Sequence, residues 1–219
     1  MDLDELGRHV WRGASPQAVR PTIPSGFAAL DERLPGGGWP RGALTEMLVD
    51  RYGLGELTLL IPALAALTRS VPGEAQKWIA WIAPPFIPYA PALKQRGVDI
   101  DRVLMIHPSA GGKGRLWAVE QVVRSGASAG VLAWLAAADD VELRRLQLAA
   151  EEQDCWVVLF RPADALRNRS PAALRIKLVQ EEKTARVEIV KCRGGRPGSV
   201  DIRLHEDASP EAISGVSQG

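Results

Sequence analysis

The stretch from Ala43 to Leu67 constrains the fold of this chain more than any other part of the sequence. A short apolar run, Leu44–Val49, predicts a buried β-strand. A turn containing Gly53 and Gly55 follows, and an apolar segment from about Glu56 predicts a helix. A strand, a glycine-containing turn and a helix in this order form the frame of a phosphate-binding loop, or P-loop.

The residues that give a P-loop its chemistry are missing from this frame. With Gly55 as the second glycine of the G-x-x-x-x-G-K-[ST] pattern, Asp50 stands at the first glycine. Glu56 and Leu57 then stand at the phosphate-binding lysine and the magnesium-binding Ser or Thr. Carboxylates beside a helix N-terminus repel a triphosphate, by roughly 4 kcal/mol for one contact at about 4 Å. The pattern predicts a degenerate nucleotide site, with a helix start in an unrelated α/β fold as the alternative.

The composition is typical of a soluble globular protein with one sizeable domain, two small domains being the alternative. The 219 residues are 46% hydrophobic and 24% charged, with a formal net charge of +1, so any basic surface must be local. The acidic residues Asp2, Asp4 and Glu5 argue against a signal peptide, and no apolar run is long enough to cross a bilayer. Cys155 and Cys192 lack metal-ligand spacing and indicate free thiols in a reducing cytoplasm.

Residues 1–22 predict a short amphipathic helix followed by a proline-rich linker. Leu3, Leu6, Val10 and Trp11 form a one-sided apolar stripe over about three helical turns. Such a helix either caps its own fold or docks on a neighbouring molecule. The stripe is therefore our candidate site for docking a partner.

The segment from Ile23 to Gly42 leads into the predicted strand with a characteristic order of features. These features, together with a glutamate in the strand, are Ser25-Gly26, Leu30-Asp31, Gly36-Gly37-Gly38, Pro40-Arg41-Gly42 and Glu46. Their order resembles the RecA family of recombination ATPases, and the resemblance extends to about Leu204. It implies an α/β fold: a RecA-like P-loop core with a mostly parallel central sheet flanked by helices, plus a C-terminal antiparallel β-hairpin.

The resemblance also assigns the other catalytic positions of a RecA-type ATPase, and this chain lacks them. Counted back from Gly97, the glutamate that activates water in that family falls at Pro85, and proline offers no base. Register from Ser125-Gly126 puts Trp134 where the magnesium-coordinating aspartate stands, and an indole is no magnesium ligand. Arg161-Pro162 replaces the glutamine that senses the γ-phosphate. We therefore expect no enzymatic activity, no catalytic residue, no cofactor and no metal.

Several local features follow from residue type and spacing. Pro62 is expected to kink the helix after Gly55 or to break it early. Ser109–Arg115 is interpreted as a flexible loop before a helix at Leu116–Ser125, and Asp139–Glu152 predicts a charged helix. The residues of that helix predicted to face inward are Leu143, Leu146 and Leu148. A short helix is predicted at Ala90–Gly97, a buried strand at Trp78–Ala83, and further strands at Val103–Ile106, Gly130–Leu135 and Cys155–Phe160.

The C-terminal part of the matched region is basic. Strands at Ala173–Val179 and Ala185–Lys191 predict a hairpin, and another strand is predicted at Ser199–Leu204. From Arg161 to Arg203 there are eleven Lys and Arg residues against five Asp and Glu. A solvated basic edge and a surface for nucleic acid or an acidic partner both account for this excess. The candidate nucleic-acid contacts are Lys191, Arg193 and Arg196.

A RecA-like scaffold without ATPase residues resembles the ImuA family, RecA-like and SulA-like proteins associated with bacterial mutagenic translesion synthesis. Trp11-Arg12-Gly13 before the linker fits that family as well. The resemblance implies a cytoplasmic, non-catalytic accessory role in the SOS response. The implied partners are ImuB (a polymerase-like protein), RecA and an error-prone C-family polymerase complex, with self-association as a further possibility. Ala136–Asp140 and Ala163–Pro171 are shorter than the DNA-gripping loops of recombinases, which implies at most weak binding of single-stranded DNA.

The predicted layout has three parts. An N-terminal helix and linker occupy residues 1–22, a RecA-like domain with a degenerate P-loop occupies 23–204, and a disordered tail occupies 205–219. Two alternatives stay open. A SulA-like cell-division inhibitor shares the apolar core but is a shorter type of chain, and an atypical RecA-like ATPase needs a lysine and an acid from elsewhere.

Overall fold

The computed structural model describes residues 21–53, 55–73, 75–108, 112–181 and 184–204. Its strands are β1 (Thr22–Ile23), β2 (Trp39–Pro40), β3 (Leu44–Val49), β4 (Trp78–Ile82), β5 (Val103–Ile106), β6 (Ser128–Trp134), β7 (Trp156–Pro162), β8 (Leu174–Gln180), β9 (Ala185–Cys192) and β10 (Gly198–Ile202). Its α-helices are α1 (Ala28–Asp31), α2 (Glu56–Thr68), α3 (Ala90–Gln95), α4 (Gly112–Arg124) and α5 (Asp140–Gln153). Short 3-10 helices lie at Ile100–Arg102 and Ala163–Arg167.

Eight of these strands form one sheet in the order β10–β9–β8–β3–β7–β6–β4–β5. The strands from β8 to β5 in that order are all parallel, whereas β9 is antiparallel to both β8 and β10. Strand β3 therefore lies inside the sheet, between β7 and β8. These findings confirm the predicted α/β class, with a mostly parallel sheet, flanking helices and an antiparallel β8–β9 hairpin.

Both faces of the central strands β3, β6 and β7 are buried, as expected for parallel strands joined by crossover helices, whereas the outer strands β5, β9 and β10 are partly exposed. Side chains alternate along each strand, so that in β7 Trp156, Val158 and Phe160 belong to one apolar cluster and Val157 and Leu159 to the other. Helix α2 packs in the first cluster, and α4 and α5 pack in the second. Burying one large apolar side chain contributes roughly 1.5–3 kcal/mol. The two clusters thus hold the sheet between two helical layers.

Several large tryptophan side chains pack in the first apolar cluster. Among the described residues, the buried tryptophans are Trp39, Trp81, Trp134 and Trp156. The ring centroids of Trp39 and Trp156 lie 5.7 Å apart, which places β2 against the start of β7. Four large indoles in one cluster agree with the usual role of tryptophan in core packing.

Helix α2 continues through Pro62 to Thr68, so the predicted early break is wrong. Ile61 and Ala63 on either side of the proline are buried. The proline ring also packs closely on the backbone of Gly26, where an added Cβ would stand 2.4 Å from the Cβ of Pro62. Tertiary packing on all sides therefore compensates for the hydrogen bond that proline cannot donate.

Helix α4 begins earlier than predicted. It starts at Gly112 instead of Leu116, so Gly112–Arg115 form its first turn and not a loop. Glycine is a poor helix former, and the local sequence therefore favoured a loop. The remaining part of that prediction, residues 109–111, lies outside the described residues.

Helix α5 confirms a predicted charged helix and corrects one inward-facing position. Its start is fixed by a capping box: the Asp139 carboxylate accepts the N–H of Glu142, and the Glu142 carboxylate accepts the N–H of Asp139. Leu143 and Leu146 are buried, but Leu148 is 55% exposed. Two residues rotate a helix by about 200°, so Leu148 points away from the sheet that Leu146 contacts.

The predicted strands at Leu44–Val49 and Val103–Ile106 have the observed bounds, and the other main-sheet strands agree to within two residues. The chain pairs β8 with β9 as the predicted hairpin. Within the described ranges, no helix has the length and apolarity needed to cross a membrane.

Candidate functional site

The turn after β3, which we call the β3 turn, is closed by the chain's own carboxylate. Gly53 and Gly55 both have positive φ, and helix α2 starts directly after Gly55. The Oε1 atom of Glu56 accepts the N–H of Gly53 at 2.7 Å, and the Glu56 residue is only 4% exposed. Free N–H groups at such a turn are the groups that bind phosphate in a P-loop. Here an internal anion already uses one of them.

A side chain from the far end of the chain covers the same turn. Leu204 is buried, and a Cβ added at Gly55 would lie 2.6 Å from its Cδ1 atom. Tyr52 packs against the first apolar cluster beside it. Burial raises the pKa of the Tyr52 phenol, the Glu56 charge raises it further, and the charge of Arg115 opposes this. The β3 turn is therefore covered by apolar and aromatic side chains of the protein itself.

The other positions aligned with ATPase residues have equally unsuitable surroundings. Trp134 is 4% exposed, and its ring stacks on Phe160 at a centroid distance of 4.4 Å. Pro85 is exposed, in an apolar segment that also exposes Phe86 and Ile87. Asp50 lies at the surface and pairs with Lys177 at 3.5 Å. These three positions therefore lie near the carboxyl edge of the sheet but do not together form a charged site.

The structure reveals a buried ion triad that sequence reasoning did not anticipate. Glu46 on β3 is fully buried and pairs with Arg161 Nη1 at 2.5 Å and with Arg175 Nε at 2.6 Å. Both arginines are themselves buried, with 2% and 5% of their surface exposed. The sequence contained one signal for this triad, which is that Glu46 lies in a strand predicted to be buried. A buried charge needs a partner of opposite sign, so a cationic partner could have been expected. The identity of its two partners depended on strand order.

The triad also anchors two connections at the carboxyl edge. Arg161 Nη2 donates to the carbonyl of Ala138, in the connection after β6. Arg175 donates to the carbonyls of Asn168 and Ala165, in the connection after β7, at 2.9 and 2.7 Å. One carboxylate in the central strand therefore fixes both connections through its arginines.

A groove lies between these two connections. Its charged lining residues are Lys113, Arg161, Arg167, Arg169, Asp139, Asp140, Glu142 and Asp164. Cations and carboxylates are interspersed, so the groove presents no single sign of charge. This mixed lining does not favour a polyanion, for which clustered cations are the usual signature.

The three predicted nucleic-acid contacts differ in their surroundings. Lys191 is part-buried, and its Nζ donates to the carbonyl of Ser170 at 2.6 Å. Burial lowers the pKa of Lys191, and the charges of Arg193 and Arg175 lower it further. Arg193 pairs with Glu151 at 2.8 Å, and Arg196 is exposed. The three side chains share one region, but two of them already bind partners within the chain.

Any binding of single-stranded DNA should be weak, independent of sequence and steeply salt-dependent, because each phosphate contact releases counterions. We expect the double variant Arg193→Ala/Arg196→Ala to weaken it further, as measured by fluorescence anisotropy over a salt series. The matched control is Lys94→Ala/Arg96→Ala, which removes two exposed cations from helix α3 and its end. Equal affinity of wild type and the Arg193/Arg196 variant would remove the basic segment from any role in DNA binding.

The cysteines and the N-terminal stripe complete the predicted features. Cys155 and Cys192 are free thiols, as predicted. Burial raises the pKa of Cys155 to about 12, so this thiol stays protonated and unreactive at neutral pH. The docking stripe lies outside the described residues, and its four members are Leu3, Leu6, Val10 and Trp11.

Comparison with known proteins gives a partial relative. No protein-family model matches the chain. The cell division inhibitor SulA of Edwardsiella piscicida is 31% identical over 108 residues. The match covers 49% of this chain and 61% of that inhibitor, so the chain spans about three fifths of the length of the relative. A likeness to part of a SulA sequence agrees with the SulA-like component of the predicted resemblance.

We expect no magnesium-dependent ATP binding and no hydrolysis, since Glu56 and Leu204 fill the β3 turn. The double variant Glu56→Lys/Leu57→Thr should restore neither, because it supplies no base at Pro85 and no metal ligand at Trp134. Isothermal titration calorimetry and a phosphate-release assay measure the two properties. Stoichiometric, magnesium-dependent binding of ATP by the wild-type chain would contradict this prediction.

Proposed function

We propose that this chain is a non-catalytic, RecA-like accessory protein of SOS-induced mutagenic translesion DNA synthesis. The observation that carries the proposal is the β3 turn, which keeps the strand–turn–helix frame of a P-loop but is filled by Glu56 and Leu204. The mostly parallel sheet flanked by helices supports a RecA-like core, and β3 lies inside that sheet, parallel to both β7 and β8. A scaffold kept without its nucleotide chemistry acts through contacts with other proteins.

The partners that follow from the ImuA resemblance are ImuB, RecA and an error-prone C-family polymerase complex. Single-stranded DNA is at most a weak ligand in this proposal, and self-association uses the N-terminal stripe. The protein acts in the cytoplasm, without a cofactor and without catalysis.

A SulA-like inhibitor of cell division is the second candidate. The partial identity to the cell division inhibitor SulA, 31% over 108 residues, favours it. An SOS-related role is common to both candidates. In this second candidate function the partner is the GTPase of cell division, which a SulA-like inhibitor binds, instead of ImuB and RecA.

A pull-down with the purified full-length chain separates the candidates. ImuB, RecA and the division GTPase are each offered singly at equal concentration. We expect ImuB and RecA to be retained and the GTPase to pass through. Retention of the GTPase alone would establish the inhibitor instead, and retention of none would refute both functions.

The N-terminal stripe has its own test. Helices shorter than about 12–15 residues are marginal in water without packing, so the stripe must contact its own domain or another molecule. We expect Leu6→Asp/Val10→Asp to abolish binding to RecA or to a second copy while the melting temperature stays unchanged. Size-exclusion chromatography and the RecA pull-down measure this. A large fall in melting temperature with unchanged assembly would identify the helix as a cap on its own domain.

A further inference from the structure

The connection between β4 and α3 exposes a group of large apolar side chains. Phe86, Ile87 and Tyr89 leave 68%, 87% and 74% of their surface exposed. Among the described residues, these are the three highest exposures of large apolar side chains. Single exposed apolar residues are ordinary, but a contiguous group marks an interaction surface. We call residues 84–91, which contain this group, the proline segment.

Four prolines restrict the backbone of the proline segment. They are Pro84, Pro85, Pro88 and Pro91. Proline fixes its own φ and disfavours the helical conformation at the residue before it. Residues 84–89 accordingly contain neither helix nor strand, and Tyr89 is extended, with φ −75° and ψ 99°. A segment with few accessible conformations loses little entropy when it binds another molecule.

Both ends of the proline segment are fixed to the core. Before it, the N–H of Ala83 donates to the carbonyl of Ile106 in β5 at 2.8 Å, and Pro84 is buried. After it, the N–H of Leu93 donates to the carbonyl of Tyr89 at 3.3 Å, and Leu93 is buried. Ala83 also has a φ of 52°, in the left-handed region that is unfavourable for a residue with a Cβ. The surrounding structure therefore holds the exposed side chains at the surface.

The distribution of charge around the proline segment defines the surface that complements it. Residues 83–93 contain no charged side chain. The opposing surface must be apolar as well, because a charge buried there would lose its water without gaining a partner. Lys94 and Arg96 follow directly, both are exposed, and neither forms an ion pair within the described residues. Carboxylates at the border of the apolar surface complement these two cations.

We propose that the proline segment docks into an apolar, aromatic-lined groove of a partner protein, whose rim carries carboxylates for Lys94 and Arg96. Proline-rich segments bind such grooves because they enter them with little loss of entropy. A lipid surface is the other apolar environment, but a segment without helix or strand leaves backbone N–H and C=O groups that a bilayer interior cannot satisfy. The proposal rests on the proposed function, in which the chain acts through protein contacts, and it names the surface that makes one of them.

The test places the photo-crosslinking amino acid p-benzoyl-phenylalanine at position 86 of the full-length chain, in its native host cells after DNA damage. We expect one protein to be crosslinked, through a contact that mass spectrometry maps to aromatic and aliphatic residues flanked by Asp or Glu.

The crosslinked protein is then purified and titrated with variants of the chain. Phe86→Ser/Tyr89→Ser should bind it at least about tenfold more weakly, because buried aromatic side chains dominate such interfaces. Lys94→Glu/Arg96→Glu should also bind more weakly, since two attractive contacts become repulsive. The matched control Trp117→Ser/Leu148→Ser removes two exposed apolar side chains from α4 and α5 and should bind like wild type. All three variants alter exposed positions, so their melting temperatures should stay close to that of wild type.

Four outcomes would overturn the proposal. No protein is crosslinked at position 86, or the contact maps to a surface without aromatic residues, or Phe86→Ser/Tyr89→Ser and the control bind the partner equally. The fourth is that vesicles of phosphatidylglycerol bind the wild-type chain and not Phe86→Ser/Tyr89→Ser, which would make the proline segment a membrane contact.

Failure of this proposal is distinguishable from failure of the proposed function. A crosslinked partner other than ImuB, RecA or the polymerase complex, with a contact of the expected kind, supports the proline segment and counts against the proposed function. Retention of ImuB and RecA by Phe86→Ser/Tyr89→Ser as by wild type supports the proposed function and refutes the role of the segment.

Discussion

Replacing Glu46 with glutamine should destabilise the fold by roughly 3–5 kcal/mol, because removing one partner of a buried ion pair leaves uncompensated charge behind. Glutamine matches glutamate in volume, so the change removes charge and little packing. Arg161 and Arg175 would then remain buried with no carboxylate between them. Urea denaturation followed by circular dichroism measures the loss as a lower midpoint at an unchanged slope.

The matched control is Glu32→Gln, at an exposed position, which should change stability by no more than about 0.5 kcal/mol. Replacing all three members of the triad with methionine should recover only part of the loss. Packed apolar residues often substitute for a buried ion pair, but here the carbonyls of Ala138, Ala165 and Asn168 would also lose their donors. A Glu46→Gln variant as stable as wild type would show that the triad contributes nothing to folding.

Substitution of Trp134 should have a similarly large effect. Trp134→Ala should cost about 3–5 kcal/mol through the lost burial and the cavity left behind. Trp134→Asp, which restores the residue type of a magnesium site, should cost more, because it adds a buried carboxylate without a partner. Thermal denaturation of both variants measures the effect, and the aspartate variant should in addition bind no magnesium.

Trp117→Ala is the matched control, since Trp117 loses the same side chain from a site that is 64% exposed. We expect its melting temperature to stay close to that of wild type. If Trp134→Asp folded normally and bound magnesium and ATP, the prediction that packing in the first apolar cluster excludes a metal from this position would be wrong.

The parts of the fold that could be predicted from the sequence are those with strong local patterns. Continuous apolar runs located β3 and β5, and two strand-like segments joined by a short charged connection located the β8–β9 hairpin. Helix α5 was recognisable from its charged residues and from the spacing of Leu143 and Leu146, and the structure shows that a capping box of Asp139 and Glu142 fixes its start. Each of these signals lies within a few residues of the element that it defines.

Features that depend on distant residues could not be predicted in this way. Helix α2 passes through Pro62 because Gly26 and the surrounding core accommodate the ring. The Glu46 triad depends on which strands become neighbours. The mismatch with the P-loop pattern was readable from Glu56 and Leu57, but the cover over the turn was not, since Leu204 lies after β10, far along the chain from Gly55. The sequence shows which residue stands at each position, whereas the order of the strands in the sheet decides which distant residues become its partners.

The central place of β3 in the sheet has a consequence for the order of events during synthesis. Strand β3 leaves the ribosome long before either of its neighbours, because β7 and β8 begin only at Trp156 and Leu174. At translation rates of about 5–20 residues per second, the delay is on the order of ten seconds. During this interval an apolar strand with a charged Glu46 has no partner on either side. We therefore expect the nascent chain to depend on chaperones until Arg161 and Arg175, the partners of Glu46, have been synthesised.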